Sequence, residues 1–200
     1  MHGHLPTNFL YRHAIELYLK SMIVTAHRRL QLTSGNRNYD PIPQIPVGQN
    51  LKPIYNVHRL RMLLDEMQRI FISHRDTIGT FAKTDWSKIP DELSGWILTI
   101  DDADPASTVF RYPVSRSPAM DEQKSSFKSV DVAELTSRMN ATGPKQFALL
   151  MMDRDDNVVE SFALDDNPIP ELRDALVNAV EMLSGAAFGV LMELGGPAAG

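Results

Sequence analysis

Cysteine is missing from all 200 residues, and that single absence removes disulfide frameworks, thiolate zinc sites, iron–sulfur clusters and cysteine nucleophiles together. Any nucleophile or ligand must be another side chain. Histidine is confined as well. All six (His2, His4, His13, His27, His58 and His74) fall within the first 75 residues, so imidazole chemistry can arise only there. There is no glycine-rich phosphate loop, no internal repeat and no sustained heptad pattern. Met1 to Leu10 carries His2, His4 and Pro6 where a secretory signal needs a basic start and an apolar centre, so a cytoplasmic location is expected.

What is present is an ordinary globular composition, 43% hydrophobic and 22% charged, enough for one good core with appendages. Its charge is unevenly placed. Residues 1–75 hold ten Lys/Arg against four acids and residues 76–200 hold ten against twenty-one, so +6 and −11 lie behind the net −5. This split reads either as an anion-binding face in the first part or as scattered surface charge.

Periodicity predicts a mainly α fold. Thr7 or Asn8 can cap a helix running to about Leu32, with Ile15, Leu19, Met22, Ile23, Ala26 and Leu30 on its apolar face. Residues 33–53, rich in Gly, Asn and Pro, read as a long surface loop. Val57, Leu60, Leu64, Met67 and Phe71 mark a second helix from about Tyr55 to Arg75, expected to pack antiparallel to the first. A shorter helix begins at Pro90-Asp91-Glu92, and residues 102–128 read as mostly irregular. Val130 to Met139 reads as a short helix. Phe147 to Met152 and Val158 to Leu164 then flank a polar turn, the pattern of a β-hairpin.

Pro168 or Pro170 opens a last long helix to about Leu194, with Ser184-Gly185-Ala186-Ala187 small enough for a close helix contact. Its length approaches that of a membrane span, but Asn178, Glu181 and Glu193 favour a buried helix. The expected layout is thus a helical core over residues 1–140, with residues 141–200 adding the hairpin and last helix to the same core.

Two stretches carry a family resemblance. Phe9-Leu10-Tyr11-Arg12-His13-Ala14-Ile15-Glu16-Leu17-Tyr18-Leu19-Lys20, followed after a loop by a helix that begins at His58, resembles the arginine, glutamate and lysine helix of HEPN proteins. Asp104-Pro105-Ala106-Ser107, Phe110-Arg111-Tyr112-Pro113 and Val130-Asp131-Val132-Ala133-Glu134-Leu135 resemble an uncharacterised HEPN-like subgroup. Together they cover roughly residues 8 to 140. The resemblance implies a HEPN-like helical bundle that binds RNA, a nucleotide or a partner protein, and homodimerises. Family members place another helix before the Tyr-Arg-His helix, so the resemblance also implies an apolar helical face in need of a cover. Where they have His-Asp-Leu, this chain has His58-Arg59-Leu60.

Ribonuclease members carry an arginine and a histidine separated by a few residues, and here only Arg69 and His74 fit. Imidazole would serve as acid or base on a ribose hydroxyl, and guanidinium would stabilise charge on phosphate. Such a pair is a common accident, since about one match is expected by chance in a chain of this composition. The resemblance also points to Arg12, His13, Glu16, Lys20, His58 and Arg111 as binding residues. Arg12, Glu16 and Lys20 recur at steps of four and so share one line of a helix. They form either a phosphate-binding pocket or a satisfied network pinning two helices. Arg111 either lines a binding groove, or its loop packs the aromatics over the core while Arg111 snorkels or pairs with an acid such as Asp102. The readings that remain are a non-catalytic binding module, a metal-independent ribonuclease of toxin or defence type, and a structural or assembly protein. None calls for a metal or other cofactor.

Overall fold

The computed structural model describes residues 4–33, 41–105, 107–112, 118–139, 147–165 and 169–196. The first helix, α1 (His4–Arg29), begins earlier than a Thr7 or Asn8 cap would allow. Pro6 sits in its first turn, where a missing N–H costs nothing, and Asn8 is buried within the helix. It ends short of Leu32 because Gln31 turns left-handed, at φ 48. Leu32 N–H then reaches the His27 carbonyl at 3.1 Å and closes the end.

The stretch expected as a loop contains a two-stranded ribbon, β1 (Gln44–Val47) and β2 (Asn50–Pro53), paired from Gln44↔Pro53 to Val47↔Asn50. Proline is tolerated because both strands are edges, with one side of each needing no ladder bond. Gly48, at φ 62, makes the tight reversal. Ile45 points into the core. Residues 34–40 of the expected loop lie outside the described residues.

Helix α2 (Leu60–Ser73) is shorter than expected; α3 (Arg75–Gly79) follows after a break at His74. Next come α4 (Asp91–Ala103), α5 (Pro118–Gln123), β3 (Phe127–Ser129), α6 (Val132–Met139), β4 (Ala148–Met152), β5 (Val158–Leu164) and α7 (Pro170–Leu194). The expected hairpin is β4–β5, and β3 joins it in the order β3-β5-β4, all antiparallel. Residues 102–128, expected as mostly irregular, therefore include α5 and β3. Pro170 opens α7; Pro168 lies outside the described residues.

The polarity of the core differs from expectation. His58, just before α2, touches Arg12 near the start of α1, whereas Phe81, just past α3, lies under Arg29 at the end of α1, 4.4 Å from ring centroid to guanidinium. Helices α1 and α2 are thus parallel, not antiparallel. The ribbon returns to its own starting point, with Ile54 N–H donating to the Pro43 carbonyl at 2.9 Å. The last turns of α1 and α7 share a cavity lined by Thr25, Arg28, Leu191 and Leu194, so α7 is parallel to them as well. Helix α4 runs the other way. Asp101 near its end meets the start of α2, while Trp86, ahead of its start, donates to Glu193 near the end of α7 at 2.9 Å.

The core fills the space among these four helices, with Ile15, Leu19, Ile23, Leu60, Leu63, Ile97, Leu176, Leu183 and Val190 fully enclosed. Helix α7 is long and apolar enough to cross a membrane, yet its stripe from Leu172 to Leu194 packs on α1 and α4. Its tightest approach is not at the Ser184–Ala187 segment. A Cβ on Gly185 would meet open space, whereas one on Gly189 would lie 2.6 Å from Trp86.

Candidate functional site

Asn8, Arg12, Glu16 and Lys20 follow one another at helical steps of four and form a polar line along α1 that faces the start of α2. Arg12 is 0% exposed. It donates to Glu16 Oε2 at 3.0 Å and to the His58 carbonyl through a short bond. Lys20 and His58 Nδ1 meet the other carboxylate oxygen at 2.7 and 3.0 Å. Burial alone would raise the Glu16 carboxyl. The hydrogen bond and charge of Lys20, the His58 contact and the nearby Arg12 outweigh it and hold the group below the ordinary glutamate range. Two cations and an imidazole thus share one carboxylate. Arg12 Nε and Asn8 Nδ2 are buried without a partner. No carboxylate of α2 joins the line, and Asp65 is exposed.

A second group extends this pole. Asp101 accepts from Arg59 Nη2 at 3.0 Å and from Leu60 N–H at 2.8 Å, so a buried carboxylate of α4 caps α2. Asp104 is fully buried and accepts the N–H groups of Thr108 and Val109 at 2.7 and 3.1 Å. Lys124 is buried as well. It donates to the carbonyls of Val109 and Tyr112 at 2.9 Å each and pairs with Asp121. None of the three buried charges, Asp101, Asp104 and Lys124, stood out as a candidate site residue in the sequence. Only Asp104, just beyond a helical pattern, has any positional signal; a lone Lys124 has none.

Arg111 lies over the Phe9 ring at 5.2 Å, and Phe9 stacks on His13 with centroids 5.9 Å apart. Phe110 of the same loop packs into the core while Tyr112 is exposed, and Arg111 rests on an aromatic of α1 instead of an acid such as Asp102. His13 is drawn into an aromatic stack.

The remaining pair does not converge. His74 caps the end of α2. Arg69 reaches back one turn and grips Glu66 with two bonds of 2.8 and 2.7 Å. By accepting both bonds, Glu66 raises the guanidinium above its ordinary value. Long side chains on a helix lean toward its N-terminus, which carries Arg69 away from the end where His74 sits. No hydrogen bond or ion pair links the two. Among the described residues no three of His, Asp and Glu come together as a metal-binding group.

Apolar side chains, by contrast, stand in solvent at several places, among them Phe188, Leu191 and Met192 on α7 and Phe147 with the whole of β4. Comparison of the chain with protein-family models, curated proteins and solved structures finds no match, so the site is read from its own geometry.

Proposed function

We propose that this chain is a HEPN-like, non-catalytic helical module of the cytoplasm that works by binding another protein. One observation carries the reading: the charged groups suited to RNA chemistry are engaged inside the chain, while apolar groups are left outside. Arg12 and Lys20 are held by Glu16 and Arg69 by Glu66. The α7 residues Phe188, Leu191 and Met192 are more than half exposed, and an apolar patch of this kind marks a protein contact. The ordered motifs of residues 8–140 that resemble HEPN proteins support the module half of the reading.

The test has two arms. The purified chain is titrated with single-stranded RNA across a salt series, and in the cell of origin a photo-crosslinking residue replaces Phe188 or, as a control, the exposed Glu122. Uncut RNA without tight binding, together with protein adducts from position 188 and none from 122, is expected. Cleavage that disappears in both His74→Ala and Arg69→Ala, or RNA affinity that falls steeply with salt, would overturn the reading.

A further inference from the structure

Strand β4 is an open edge. The sheet order β3-β5-β4 leaves one side of it unpaired among the described residues. Leu164 N–H donates to the Phe147 carbonyl at 2.9 Å and Asp153 N–H to the Asn157 carbonyl at 2.9 Å. In an antiparallel ladder the direction alternates, so residues 147, 149, 151 and 153 bond toward β5. Ala148, Leu150 and Met152 therefore aim their N–H and C=O groups outward. This outward set is symmetric about Leu150.

Both faces of β4 are open too. Phe147 is 78% exposed and Leu150 45%, with Leu149, Met151 and Met152 similar and Val159 of β5 alongside. From Ala148 to Met152 there is no charge, no proline and no glycine, the side-chain devices by which edge strands discourage pairing; the one irregularity is a register shift at Met151/Met152, where the extra residue, Val159, belongs to β5 and leaves the alternation of β4 intact. Open large side chains offer roughly 150–200 Å² each, so the patch presents on the order of 500 Å², near the upper end of what a monomer leaves uncovered. It is most of the about 800 Å² that one partner contributes to a standard interface.

We infer that β4 pairs with β4 of a second copy, antiparallel across a two-fold axis at Leu150, to form a continuous six-stranded sheet. Ala148 then faces Met152 of the other copy and Leu150 faces its own equivalent, so the outward groups of residues 148, 150 and 152 bond reciprocally. Apolar side chains meet on both faces of the joined sheet. An uncharged strand brings no like charges together at the axis. This inference rests on the protein-binding reading above and names the partner at one of its surfaces.

The absence of cysteine makes the test direct. Two equivalent Leu150 Cα atoms in a hydrogen-bonded antiparallel pair lie about 5.5 Å apart, inside the roughly 4.4–6.8 Å that a disulfide spans. Mild oxidation of the full-length Leu150→Cys chain should give a covalent dimer, and Phe188→Cys should not. Light scattering at micromolar concentration should report two chain masses for the unmodified protein and one for Leu150→Lys, with unchanged circular dichroism. A monomeric unmodified chain with no Leu150→Cys dimer would overturn self-pairing, as would a dimer that crosslinks only through Phe188→Cys. Either result leaves the protein-binding reading to its own crosslinks. RNA cleavage would overturn that reading without abolishing the Leu150→Cys disulfide.

Discussion

Leu19 of α1 and Leu150 of β4 are the same residue in two regions with opposite fates, one fully enclosed and the other 45% exposed. In the helical region each apolar stripe is met from several sides, because α2 and α7 pack along α1 and α4 spans α2 and α7. Among the described residues of the three strands and α6, Ser161 and Ala163 of β5 and Leu135 of α6 are buried, with Ser126 just ahead of β3. Three short strands with one small helix against them leave β4 bare on both faces. Apolar residues in a sequence therefore do not by themselves say where a core is. Coverage by neighbouring elements decides it, and the uncovered region becomes a surface for binding.

The contrast can be broken most severely by removing Arg12. Arg12→Ala takes the buried cation from Glu16 Oε2 and the donor from the His58 carbonyl, and should cost about 3–5 kcal/mol in urea unfolding. Arg75→Ala removes one partner of the surface pair with Asp85 and should cost about 0–1 kcal/mol. Equal losses would mean that the Arg12 network holds no more than a surface pair does. Leu19→Ala or Leu64→Ala should cost about 2–5 kcal/mol, whereas Leu150→Ser should change the unfolding of the dilute chain by less than about 0.5 kcal/mol.

A finer comparison lies within α7. Gly189→Ala drives a methyl group into Trp86 and should destabilise by about 1–3 kcal/mol, while Gly185→Ala, facing open space, should stabilise by up to about 1 kcal/mol. Thermal melts of the two variants should move in opposite directions. The last effect is in pH. Because Glu16 is held below its ordinary value in the folded chain, its contribution is complete above the unfolded value, about 4.3, and is lost as pH falls through the folded one. Glu16→Gln should flatten that acid limb of the stability profile. An unchanged limb would show that other carboxylates carry it.

Much of this architecture was legible in the sequence. The 3.6-residue periods locate α1, α2, α4 and α7, because burial imprints that period, and two apolar runs around a polar turn give β4 and β5. The steps of four from Arg12 to Lys20 place three members of the polar line. What escaped depends on distant partners. The direction of α2 is fixed by the pole of α1 that its leading residue His58 meets, at Arg12, and the proline-rich segment forms strands because both its edges are free. Asp101 and Lys124 gain their roles from backbone groups that come near only after folding. The Arg69–His74 spacing is a linear match, and Glu66, one turn away, takes the arginine.

The packing of α7 along α1 also carries a kinetic consequence. Some 140 residues separate the end of one helix from the start of the other, so the most extensive helix contact in the molecule closes a loop that spans most of the chain. Contacts so remote in sequence form late and slow the search for the native state. At a synthesis rate of roughly 5–20 residues per second, α1 waits on the order of ten seconds outside the ribosome before its main partner emerges. Throughout that interval Leu19, Ile23 and Ala26 have no α7 to cover them. The nascent chain is thus most open to chaperone capture at its first helix, and release should follow the emergence of its last.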